Sequence, residues 1–147
     1  MDVFCTHMQA TSGEAGFDAA QGQVDQLVNA INRLSPPENG LLVVGDFNLG
    51  PLRNKTYQEL STIYENEITM MNRMNIFNSL IVRLQLLDAW DILQPNPSYD
   101  GFDRCLFRNG TQMTITPNTI QWDDTFVGED GKQLSDSKPI IVNLTIS

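Results

Sequence analysis

Apolar residues recur along the chain with two different periods. Residues 3–6, rich in β-branched and aromatic side chains, predict a strand ending near His7, and a loop of small residues follows over 12–16. Val24, Leu27, Val28, Ile31 and Leu34 then fall on one stripe at helical spacing, which predicts an amphipathic helix. Ser35-Pro36-Pro37-Glu38-Asn39-Gly40 stops it, because proline cannot continue the hydrogen-bond ladder. Residues 41–44 are apolar without alternation, the pattern of a strand covered on both faces, and Gly45-Asp46-Phe47-Asn48 stands at its carboxyl end.

Further along, Thr56 and Glu59 have the spacing of a capping box, and Tyr57, Leu60 and Tyr64 continue a short helix. A longer helical pattern through Met71, Met74, Ile81 and Leu84 covers 68–87, and Asp88-Ala89-Trp90 with the loop at 95–97 ends it. Residues 102–108 and 113–116 are two short strand candidates joined through the hairpin-type dipeptide Asn109-Gly110. A final strand covers 140–146. Strands separated by helices predict an α/β chain with a mixed sheet, without internal repeats or a linker between two domains.

The 147 residues include nine Lys and Arg against eighteen Asp and Glu, a formal net charge of −9. Sequence-independent nucleic-acid affinity comes from Lys and Arg displacing counterions, so this composition disfavours nucleic acid as a partner; Arg53-Asn54-Lys55 is too small a cluster to track a phosphate backbone. No apolar stretch is long enough to cross a bilayer as a helix, and the chain is expected not to be transmembrane. Cys5 and Cys105 both lie in apolar runs and read as two buried thiols, with a single bridge as the alternative. Met70, Met71 and Met74 read as core filler, and Trp122 as part of an acidic loop, Gln121-Trp122-Asp123-Asp124.

The candidate chemistry gathers at strand ends. In an extended chain Asp46 and Asn48 would point to one face and Phe47 into packing, offering a carboxylate and an amide to one ligand; taken alone, Gly-Asp-x-Asn is equally a well-made turn. His7 is the only histidine and ends the first strand. Ser135-Asp136-Ser137 places another carboxylate just before the last strand, and Asp103-Arg104 opens an apolar strand, where it could equally be an exposed pair.

Taken in order, Thr6-His7, a helix, Leu42-Val43-Val44-Gly45-Asp46-Phe47-Asn48, Leu87-Asp88-Ala89-Trp90, Phe102-Asp103-Arg104 and Leu134-Ser135-Asp136 make the chain resemble the carboxyl-terminal half of the endonuclease/exonuclease/phosphatase (deoxyribonuclease I-like) superfamily. Thr6-His7-Met8-Gln9-Ala10 and the helix at Gln26-Leu27 are most similar to its neutral sphingomyelinase branch. The resemblance implies that residues 1–147 are the carboxyl-terminal part of one such domain: half of a four-layer α/β/β/α sandwich, one mixed sheet with covering helices. It implies metal-dependent phosphodiester hydrolysis of the sphingomyelin phosphodiesterase type, with Mg2+ or another divalent cation and a phosphodiester substrate such as a phospholipid head group.

By the same resemblance, Asp46 corresponds to a water-orienting and metal-contacting carboxylate, Asn48 to a phosphate-contacting amide, and Asp136 to an acidic residue at the metal and phosphate. His7 corresponds to one of two catalytic histidines that meet the phosphate, and Asp103 to the carboxylate orienting the second. That second histidine is Ser137 here, and a hydroxyl cannot exchange a proton near neutral pH as imidazole does. The metal-binding glutamate, an early asparagine and the carboxylate partner of His7 belong to an amino-terminal half absent from these residues. Gln23 replaces the usual helix arginine. The site is therefore expected to be incomplete in this chain, a fragment of a longer one. The alternative is a non-catalytic pseudoenzyme that keeps a phosphate- and cation-binding cleft. One sheet face, fed by residues 3–5, 41–44 and 140–142, is expected to lie bare of the chain's own helices and to await the missing half or a partner.

Overall fold

A computed structural model describes residues 1–9, 13–49, 67–93, 102–123, 125–132, 134 and 139–147. The expected helix after Thr56, the Arg53–Lys55 cluster, the 95–97 loop, Asp136 and Ser137 lie outside the described residues. Strand β1 (Asp2–His7) leads through helix α1 (Gly13–Leu34) to strand β2 (Leu41–Asp46), and the two strands pair in parallel. Helix α2 (Glu67–Leu84) precedes the two-residue strand β3 (Leu87–Asp88) and the single turn α3 (Ala89–Leu93). Strands β4 (Asp103–Arg108), β5 (Ile115–Trp122) and β6 (Ile140–Ile146) complete the order. The protein is mixed α/β: a four-stranded mixed sheet in the order β1-β2-β4-β3, a second sheet of β5 and β6, and helices.

The unbroken apolar run in β2 is explained by burial on two sides. Leu41 and Val43 join the core beneath α1 and α2, with Val24, Val28, Ile31, Phe77 and Leu80. Leu42 and Val44 face the other way, into a core with Cys105, Phe107, Ile120, Val142 and Leu144. This second core corrects the expectation of one sheet that includes residues 140–146 and shows a bare face. β6 pairs with β5 instead, and the two strands cover β2 and β4. Exposed aliphatic surface on that face is left at the two edge strands, with Val3 of β1 58 % exposed and Leu87 of β3 49 %.

Other departures have local causes. α2 stops at Leu84 because Gln85 adopts φ 54° and Leu86 N–H donates back to the Ile81 carbonyl at 2.9 Å, an αL termination sealed by buried Leu86. Asp88 and Trp90 then belong to β3 and α3 rather than to the helix end. Asn109-Gly110 makes no β4–β5 hairpin. Gly110 presses so closely on the 38–40 loop that a Cβ would lie 2.3 Å from the Glu38 carbonyl oxygen, and the chain crosses to the second sheet. The second strand of that expected pair runs over Ile115–Trp122, so Trp122 is a packed strand residue, its ring centroid 6.2 Å from that of Trp90. Met71 is exposed and Met74 half-buried, while Met8 is buried. Both cysteines are free, and Cys5 is exposed because β1 is an edge strand with its outward set uncovered. Cys105 is buried, which, with the nearby Asp88 charge, pushes its thiol up to about 11. No helix among the described residues is long and apolar enough to cross a membrane.

Candidate functional site

The carboxyl ends of the parallel strands β1 and β2 lie side by side, so His7 is the register partner of Asp46, and Asp46 in turn that of Asp103 at the start of antiparallel β4. Alternation from the two cores puts all three on the face turned toward the second sheet. His7 Nε2 stands 3.7 Å from Asp46 Oδ2, with the histidine side chain 78 % exposed and the aspartate 19 %. The sequence resemblance placed the carboxylate partner of His7 in an amino-terminal half; here Asp46 is the carboxylate beside it.

Two backbone positions make this end possible. Gly45 has φ 134°, and a Cβ there would meet the Thr6 carbonyl oxygen at 1.8 Å, so only glycine lets β1 and β2 approach beside Asp46. Asn48 is left-handed at φ 48°, a conformation asparagine tolerates better than most side chains. Its N–H donates to Asp46 Oδ1 at 2.8 Å, and its Nδ2 donates to the Met8 carbonyl at 2.7 Å. Asp46 and Asn48 therefore meet through a turn rather than by projecting together from an extended strand. Phe47, between them, is fully buried in the helix-side core.

The Asp103 carboxyl titrates above its ordinary range. Burial is the main cause and the Asp46 charge adds to it; its own backbone N–H, His7 and Arg104 pull the other way. Asp103-Arg104 is no exposed pair, because alternation turns Arg104 to the opposite face. There the arginine is fully buried, with Nη1 3.4 Å from Asp88 Oδ2. Gln23, where the sequence resemblance implies a helix arginine, accepts the Gln9 N–H through Oε1 at 3.0 Å and ties the chain after β1 to α1.

Chemically, this end presents hard oxygen donors, one amide and one imidazole. Two carboxylates held in register repel each other, and a cation relieves that. Magnesium needs only one or two protein carboxylates, taking its remaining positions from water and phosphate, so Asp46 and Asp103 fit as a partial protein share of such a site. No group of three or more potential ligands gathers among the described residues. Sequence reading missed Arg73, whose Nη1 donates to the Asn48 carbonyl at 3.1 Å. The available signal was its spacing, four residues before buried Phe77 on the same helix face.

No family model matches the chain, and no curated protein matches it. Solved structures do. Humanized D. rerio TDP2 carrying 14 mutations superposes with a TM-score of 0.56 at 15 % identity, over 97 % of this chain and 51 % of that one. D. rerio TDP2 complexed with a single-strand DNA product gives 0.59 at 14 % identity, over 97 % and 55 %. The chain thus spans about half the length of the TDP2 chains it matches. At 14–15 % identity the likeness shows a shared fold, in keeping with the expected mixed α/β class. One of these neighbours is complexed with a single-strand DNA product, so the expectation that nucleic acid is an unlikely partner is not supported. A count of Lys and Arg speaks to affinity for a backbone at large, not to one phosphodiester held in a cleft.

Proposed function

We propose that His7, Asp46, Asn48, Asp103 and Asp136 form the phosphate- and cation-contacting share of a phosphodiester-hydrolysing site of the sphingomyelin phosphodiesterase type. The observation that supports it is the convergence of His7, Asp46, Asn48 and Asp103, drawn from the carboxyl ends of β1 and β2, the turn after β2 and the start of β4, at one end of the sheet. A divalent cation, when bound, would neutralise charge building on the phosphate and polarise it toward attack. Asp46, fixed through Oδ1 by the Asn48 N–H, keeps Oδ2 for orienting a water. Asn48 has one Nδ2 hydrogen engaged by Met8, and the second can donate to a phosphoryl oxygen. His7 is exposed enough to reach that phosphate, and the sequence resemblance assigns Asp136 with Asp46 to the cation.

In this reading residues 1–147 supply one share of the site. Ser137 stands where the resemblance places a second histidine, and the glutamate that would fix the metal has no counterpart among these residues. Activity would require an amino-terminal half of the sandwich to meet the open β1 side. A second reading, single-stranded DNA as the phosphodiester, is favoured by the neighbour that holds such a product. A non-catalytic cleft is favoured by Ser137.

The test titrates the purified chain, with Mg2+ present, with phosphocholine and separately with a DNA trinucleotide. Binding lost in Asp46→Ala is expected, and the preferred arm separates the two substrate readings. A wild-type chain that binds neither ligand would refute the proposal. Fusion to the missing half from a homologous enzyme, together with Ser137→His, is expected to restore hydrolysis where Ser137→His alone does not. A fusion that stays inert favours the non-catalytic cleft.

A further inference from the structure

Arg73 stands four residues before Phe77 and seven before Leu80 on α2, on the same face as those two buried side chains. A half-buried guanidinium keeps its place only with partners. Nη1 donates to the Asn48 carbonyl at 3.1 Å, and the guanidinium carbon lies 5.8 Å from the centroid of the Phe102 ring. The Phe102 carbonyl in turn accepts the Phe47 N–H at 3.0 Å. One side chain of α2 therefore touches both the turn that follows β2 and the residue that precedes Asp103.

Asn48 is engaged on three sides: its N–H by Asp46, its side-chain amide by Met8 and its carbonyl by Arg73. The first two bonds orient the groups a ligand would meet. The third, charge-assisted, holds the peptide from behind. Residues other than glycine stay in the left-handed region only where their surroundings keep them there, and Asn48 sits at φ 48°.

We infer that Arg73 is the positioning residue of the phosphate-contacting turn, holding Asn48 left-handed so that its amide and the Asp46 carboxylate are presented as one unit to a phosphodiester. The ligand in this inference rests on the proposed function; the hold on Asn48 does not.

The experiment follows one resonance, the Asn48 side-chain amide in the 15N-labelled full chain. It reads hydrogen exchange without ligand, then affinity for dimethyl phosphate in Mg2+. Arg73→Met keeps an apolar stem over Phe102 and removes the donor. It is expected to speed exchange and weaken dimethyl phosphate, each about tenfold, the scale of one charge-assisted hydrogen bond. Arg73→Lys retains a donor and restores most of both, which a packing role alone would not produce. Arg73→Met within twofold of wild type in both readouts overturns the inference, as does Arg73→Lys behaving like Arg73→Met. Should Arg73→Met fail to fold, Phe102→Leu replaces it: a smaller loss of the same sign supports the hold, and no loss overturns it. A wild type that binds no dimethyl phosphate while exchange still depends on Arg73 supports the hold and overturns the proposed function instead.

Discussion

Arg104→Met tests the buried ion pair beneath β4, the strand that carries Asp103. The Arg104 side chain is 0 % exposed and that of Asp88 4 %, with Nη1 and Oδ2 3.4 Å apart. The guanidinium also lies 5.8 Å from the Phe77 ring centroid, and Asp88 Oδ1 accepts the Trp90 N–H at 2.9 Å. At that separation and an effective dielectric near 20, the Coulomb attraction is about 5 kcal/mol. Desolvation of both groups offsets most of it in the intact pair, but removing one partner leaves a charge buried without its counterpart. The expected cost of Arg104→Met at pH 7 is therefore about 3–5 kcal/mol. Methionine keeps the stem against Phe77, so little of this is lost packing. Adding Asp88→Asn should recover most of it, because asparagine removes the stranded charge while its oxygen still accepts from Trp90. Urea unfolding followed by tryptophan fluorescence measures both effects, since Trp90 and Trp122 pack on each other. An Arg104→Met cost below about 1 kcal/mol, or a double variant no better than the single, would refute the reasoning.

Gly45→Ala should cost about 2–6 kcal/mol, from the strained φ together with the Cβ contact on Thr6, and should part His7 from Asp46; an alanine variant with a near wild-type urea midpoint would contradict this. Asp103→Asn should stabilise. The folded carboxyl holds its proton above the ordinary 3.8, so the wild type loses stability as pH rises through the raised value. The variant should gain about 0.2–1 kcal/mol at pH 7, the scale of a cross-strand pair, and nothing below 3.8; a gain that persists at pH 3 would point to packing instead. The isolated wild-type chain should show no appreciable magnesium-stimulated hydrolysis of sphingomyelin or model diesters, since loss of one general acid alone costs about 10²–10⁴ in rate. A robust rate abolished by Asp46→Ala would show that the residues absent from this chain are dispensable.

Local pattern determined much of the molecule. Of the expected stripe, Val24, Leu27, Val28 and Ile31 are buried or half-buried against the sheet because their spacing leaves one face of α1 apolar, whereas Leu34, the last residue of the helix, is exposed. The two-sided apolar run of β2 and the Gly-Asp-Phe-Asn turn were legible for the same reason: each is a constraint among neighbours in the chain. Pairing was not. Nothing within residues 113–116 or 140–146 states that these segments leave the first sheet and cover it, because strand partners are chosen by contacts far apart in sequence. The exposure of Cys5, the full burial of Arg104 and the 3.7 Å approach of His7 to Asp46 are consequences of that packing. Arg73 shows the division most sharply. Its place on the buried face of α2 follows from helical periodicity, whereas its reach to the Asn48 carbonyl, 25 residues back along the chain, exists only once α2 has docked on the sheet.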